Sequence, residues 1–157
     1  MLESVATFAD PRFGVDLFKL ESPIPAGDLP APGAEGSAEA QRWFDELGRA
    51  AGRPWVMLSA GAGMAEFERV LRYAYRAGAS GYLAGRAIWL AAFDRFPDWD
   101  GIRAGLRDEA VDYMRSLNVL TEAAARPWHR HECYGPGGAV VLPADAGFRH
   151  AYPGFGG

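Results

Sequence analysis

One lysine, Lys19, stands among 16 basic residues; every other basic residue is an arginine. It lies in the string FKLE, between Phe18 and Leu20. On an extended segment side chains alternate in direction, so Lys19 and Glu21 share one face and Phe18 and Leu20 the other. In a barrel the amine would project into the interior, where desolvation and nearby positive charge lower a lysine pKa. An unprotonated amine attacks a carbonyl carbon to form a Schiff base. The alternative reading is an exposed lysine on an edge strand, paired with Glu21. An Ala/Gly/Arg-rich composition depletes lysine everywhere, so the informative point is where the single lysine sits.

Two glycine-bearing turns offer a second kind of chemistry. SAGAG at 59–63 and AGRA at 84–87 each lie between an apolar run and a helical pattern. Amides at a helix start point outward, the helix dipole favours an anion, and the missing Cβ lets a phosphate approach the main chain. Arg86 adds a guanidinium that can bind phosphate oxygens in bidentate fashion. Taken singly, either turn is equally a plain tight turn with a solvated arginine. Two in succession match the phosphate site that βα barrels build after their last two strands.

Other groups carry less. His129, His131 and Cys133 resemble a ligand cluster, but they lack the spacing and fourth ligand of a structural zinc site, so no metal is expected. Cys133 is the only cysteine and has no internal disulfide partner. Asp94, Asp98 and Asp100 surround Pro97 and are expected to cap helices. Trp43, Trp55 and Trp89 sit in apolar segments and read as core.

These residues need elements to hold them. Val15 to Glu21 has the length and punctuation of a buried strand, stopped by Ser22-Pro23. The Pro/Gly/Ala-rich stretch 23–36 is long for a connection and reads as a functional loop over a site. A helix capped by Ser37 runs to a stop at Gly52, with Trp43, Phe44 and Leu47 as its apolar stripe. A strand at Trp55 to Ser59 precedes a helix over 64–77, in which Phe67, Val70, Leu71 and Ala74 recur at helical spacing. A third strand, Ser80 to Ala84, is followed by a short helix, and Gly101 to Ala125 reads as one long amphipathic helix. Repeated strand–helix units predict an α/β fold with parallel strands and right-handed crossovers, in which ligands sit at the carboxyl ends of the strands. Residues 1–128 form the predicted domain, and 129–157 a Gly/Pro-rich irregular tail.

At 157 residues, with 49% hydrophobic and 13% aromatic content, the chain is long enough for a buried core. A net charge of −4 with scattered basic residues argues against nucleic acid as partner. No apolar run approaches the ~20 residues of a membrane span. A soluble, cytoplasmic protein is expected.

The strings FKLESP at 18–23, PWVMLSAG at 54–61, AGASGYLAGRAIW at 77–89 and ARPW at 125–128 together resemble the tagatose-1,6-bisphosphate aldolase family, which includes the sulfofructosephosphate aldolases. The motifs agree in order and approximate spacing over residues 14–128. The resemblance implies a class I aldolase on a (β/α)8 TIM barrel, without metal or other cofactor. Such an enzyme cleaves a ketose phosphate to dihydroxyacetone phosphate, or a sulfonate analogue, and an aldehyde. It further implies Lys19 as the Schiff-base lysine, with Ser59 and Gly61 holding the substrate phosphate through main chain and hydroxyl, completed by Gly85 and Arg86. Glu21 matches a family glutamate but is not assigned proton transfer.

A family barrel has eight strands and ~250 residues, whereas this chain holds about three βα units, corresponding to the C-terminal portion from strand six onward. The carboxylate used for proton transfer belongs to an earlier strand. Open strand edges predict self-association or a complementing barrel segment. Two further readings stand beside the aldolase: a non-catalytic phosphate-binding or assembly remnant, and a reading-frame fragment of a longer enzyme.

Overall fold

A computed structural model of the chain describes residues 1–140. Part of the predicted tail, residues 141–157, therefore lies outside the described residues.

Three short strands form one parallel sheet: β1 (Phe18–Leu20), β2 (Trp55–Leu58) and β3 (Gly81–Leu83), in spatial order β1-β2-β3. Phe18 pairs with Trp55 and Leu20 with Met57, while Met57 pairs with Tyr82 and Leu58 with Leu83. This register puts Phe18, Leu20, Trp55, Met57 and Tyr82 on one face. Lys19, Val56, Leu58, Gly81 and Leu83 occupy the other. Helices cover the first face: α1 (Leu2–Phe8), α2 (Ser37–Ala51) and α3 (Met64–Arg76) contribute Val5, Phe44, Leu47, Phe67, Val70 and Leu71 to a core with Trp55 and Met57.

The remaining helical path runs through α4 (Arg86–Phe93), α5 (Trp99–Gly105), a π-helical turn at Leu106–Ala110 and α6 (Val111–Ala124). Tyrosine hydroxyls anchor α6: Tyr113 donates to the Met64 carbonyl at 2.7 Å and Tyr82 to Asn118 at 2.8 Å, while the Tyr75 and Thr121 hydroxyls pair at 2.7 Å. Burial pushes the Tyr75 phenol up to about 12. That shift suits a phenol acting as a neutral structural bond.

Several sequence expectations need correction. Ser37 is the first helical residue of α2, and its side chain makes no capping bond; Gly36, at φ +79°, precedes it. The stripe of α2 is Ala40, Phe44, Leu47 and Ala51, because Trp43 lies 100° off that line and is 44% exposed. Trp89 is also exposed, and of the three tryptophans taken as core only Trp55 is buried. Of the three aspartates, Asp98 accepts from the Gly101 amide at the start of α5, whereas Asp100 pairs with Arg103. The predicted long helix is interrupted by the π turn.

Gly48 sits inside α2 where it crosses the end of α3. A Cβ there would lie 2.6 Å from the Ala77 carbonyl oxygen. On a free helix surface Gly→Ala stabilises by ~0.5–1 kcal/mol. Here Gly48→Ala is expected to destabilise by ~1–3 kcal/mol through overpacking against backbone. A urea titration would show the midpoint falling, and a midpoint that rises would contradict the close approach.

Candidate functional site

The carboxyl ends of all three strands open into one cleft of about 630 Å³. Lys19, Ser59, Gly61, Gly85 and Arg86 all line it, together with Glu21, Leu58, Leu83 and Trp89. Residues spread from position 19 to position 86 thus meet at one end of the sheet, as parallel order requires: each strand delivers the loop that follows it to the same edge.

Lys19 is exposed on the face of β1 opposite the helices. Its buried neighbours Phe18 and Leu20 fix that orientation by packing into the core. The enclosed interior expected around the amine is not supplied by the described residues. The alternative pairing with Glu21 is absent too, since the two form no ion pair within 4.0 Å among the described residues.

The turn after β2 is built to leave donors free. Ser59 is 8% exposed, and its N–H donates to the Leu83 carbonyl at 3.1 Å, extending the sheet by one bond. Its main-chain donor is therefore used, so what Ser59 offers the cleft is its hydroxyl. The hydroxyl itself makes no hydrogen bond among the described residues. Ala62 N–H returns to the Ser59 carbonyl at 2.8 Å, and the Glu66 carboxylate accepts from Gly63 N–H at 2.9 Å. That leaves the N–H groups of Ala60 and Gly61 without an acceptor among the described residues. Both residues have left-handed backbone, Ala60 at φ 48° and Gly61 at φ 84°. Successive amides in such a turn form an anion-binding concavity. Ala60 is strained there, since a non-glycine residue pays for that region, and such strain gathers at ligand clamps.

The turn after β3 faces it. The Gly85 carbonyl accepts from Ile88 and Trp89 N–H at 2.8 and 3.2 Å, starting α4 and leaving the Arg86 and Ala87 amides at its open end. A Cβ on Gly61 would lie 3.7 Å from Nη2 of Arg86, so the guanidinium rests over the first turn. The Ser59 hydroxyl, the free amides of both loops and the Arg86 guanidinium thus converge on one opening.

A neighbouring hollow of about 510 Å³ shares the wall Glu21, Ser59, Ala60 and Gly61. Residues 22–27 line it, so the first part of the predicted functional loop does border the site. The rest is fastened elsewhere: Leu29 is buried, Arg69 donates to its carbonyl at 2.6 Å, and Tyr73 donates to the Pro30 carbonyl at 3.0 Å. Sequence reasoning missed Trp89, which lies one helical turn after Arg86 and so faces the same opening. It also missed Glu66, whose place three residues after Gly63 is the spacing of a capping box.

Among the described residues no group of three or more His, Cys, Asp or Glu is placed to hold a metal. His131 instead accepts the Cys133 N–H on Nδ1 at 3.2 Å. No helix among the described residues is long and apolar enough to cross a membrane.

The family model for DeoC/LacD family aldolases matches residues 4–91. Tagatose 1,6-diphosphate aldolase 2 of Enterococcus faecalis (strain ATCC 700802 / V583) is 33% identical over 135 residues, covering 81% of this chain and 41% of that protein. Tagatose 1,6-diphosphate aldolase of Lactococcus lactis subsp. lactis is 29% identical over 136 residues, covering 82% and 42% respectively. That of Streptococcus agalactiae serotype V (strain ATCC BAA-611 / 2603 V/R) is 30% identical over 136 residues. The chain thus spans about 41% of the length of the first of these relatives. With its matched segment running through the lysine strand and both glycine turns, the chain belongs to the DeoC/LacD family of aldolases.

Proposed function

We propose that this chain carries the Schiff-base lysine and the phosphate anchor of a class I aldolase, as about three βα units of a (β/α)8 barrel. The observation that carries this reading is the single cleft in which Lys19 meets the Ser59–Gly61 and Gly85–Arg86 turns. The substrate class is a ketose phosphate, in keeping with the names of the relatives.

The chemistry follows from those groups. The Lys19 amine adds to the ketose carbonyl and water leaves, giving an iminium. The bond between the carbons α and β to the iminium breaks, its electron pair passes into the iminium to form an enamine, and the β carbon leaves as the aldehyde once its hydroxyl gives up its proton. Protonation of the enamine and addition of water release dihydroxyacetone phosphate and restore the amine. The phosphate anchor holds the carbonyl against Lys19, replacing a bimolecular encounter by a positioned one. A proton donor and acceptor for the cleaved hydroxyl comes from outside the residues assigned here.

The second reading, a non-catalytic phosphate-binding or assembly module, is favoured by the exposure of Lys19 and by the partial span of the relatives. One experiment separates the two. Borohydride is added with dihydroxyacetone phosphate to the 157-residue chain, alone and mixed with the first five βα units of a full-length relative. Mass spectrometry is expected to find the reduced adduct on Lys19. No adduct in the complemented barrel overturns the aldolase assignment; turnover by the chain alone, as a monomer, overturns the non-catalytic one.

A further inference from the structure

The opposite end of the sheet holds a second polar hollow, of about 250 Å³, that the aldol chemistry does not use. It lies where β2 begins, between the last turns of α2 and α3 and the segment that follows α6. Arg49, Arg76 and Arg126 line it, as do Trp55 and His131.

Three observations set this hollow apart from a merely solvated surface. Trp55 is 1% exposed overall, but its indole N–H opens to the hollow and has no acceptor among the described residues. The close approach at Gly48, where a Cβ would lie 3.5 Å from Nε1 of Trp55, keeps that edge of the ring clear of side chain. The second observation is charge. Arg49 and Arg76 have no carboxylate within 4.0 Å among the described residues, and Arg126 reaches Glu132 only at that limit. Of the two carboxylates lining the hollow, Asp45 already accepts from the Gln41 amide at 2.8 Å. Three guanidiniums against two carboxylates leave a positive surplus. Third, burial and then the charges of Arg126 and Arg53 lower the His131 pKa, against an opposing effect of Glu132. Its Nδ1 accepts the Cys133 amide, so the neutral ring carries its proton on Nε2.

We infer that this hollow is a binding site for a small dianion of the phosphate class, held by Arg76, Arg126 and Arg49 with the Trp55 indole N–H as a fixed donor. It lies at the amino ends of the strands, remote from the cleft of Lys19, and does not depend on the aldolase reading. Arg49 and Arg76 also sit in the last turns of their helices, where a cation complements the carbonyl end. That placement alone gives no reason for a free indole donor beside them.

The test uses the 157-residue chain with Arg86→Met, which removes the guanidinium at the other phosphate position. Inorganic phosphate, and separately dihydroxyacetone phosphate, are titrated in while the Trp55 indole and His131 ring signals are followed by nuclear magnetic resonance. Both signals are expected to shift saturably, the His131 pKa to rise with phosphate bound, and Arg76→Gln/Arg126→Gln to weaken binding at least 10-fold. Stronger binding of one ligand identifies the source as free phosphate or phosphate ester. An indole signal unmoved at saturating concentrations of both ligands overturns the proposal. So does a shift that Arg76→Gln/Arg126→Gln leaves unchanged in a variant with native circular dichroism.

Discussion

Lys19→Arg is expected to lower aldol cleavage by the complemented barrel by about 10⁴-fold or more, the scale on which losing a covalent nucleophile acts. The substitution keeps the positive charge and most of the length, and it alters a side chain that is exposed. The fold has no reason to respond. What is lost is the ability to deprotonate, since a guanidinium stays charged at any pH the protein survives. Substrate binding should change little, because the phosphate contacts lie on the other two loops. Steady-state kinetics with parallel borohydride trapping checks both halves. A variant that keeps a tenth of the activity would remove Lys19 from the mechanism.

Arg86→Met is expected to raise KM for a ketose phosphate by about 10- to 100-fold, with a smaller effect on kcat. A hydrogen bond to a charged group contributes ~1.5–3 kcal/mol, which corresponds to that range. Methionine retains much of the aliphatic stem, so the change isolates the guanidinium lying over Gly61. Trapping at saturating substrate should still label Lys19. An unchanged KM would leave Arg86 as a solvated helix-start residue, and the anion site would then rest on the Ser59 hydroxyl and the loop amides.

Much of this architecture was legible in the sequence because its elements are punctuated. Gly52, Gly78 and Ser22-Pro23 end elements where the structure ends them to within a few residues, and Phe67, Val70, Leu71 and Ala74 point inward as their spacing demands. Both glycine turns fall at strand ends, which follows from parallel order. What was not legible depended on tertiary contacts. Strand β1 shrinks from Val15–Glu21 to Phe18–Leu20 because only those residues have a partner on β2. Helix α1 buries Val5 alone, which leaves no apolar stripe for its seven residues to be read by. The surroundings of Lys19 are set by what lies across the sheet face, about which its own strand says nothing. The turn that leaves the Ala60 and Gly61 amides free likewise follows a Ser59 N–H taken by Leu83 at the end of β3, a bond that no local pattern encodes.

The agreement of spatial order with chain order, β1-β2-β3, bears on how the molecule comes into being. During synthesis β1 and β2 can pair only once α2, which lies between them, has emerged. β3 then meets β2 already in place, so these three units can assemble in chain order. The cleft of Lys19 is complete only when all three strands are in place. Its first wall is present once Gly61 emerges, but Arg86 closes over that glycine only after β3 has docked, which makes phosphate affinity a late reporter of folding along this chain.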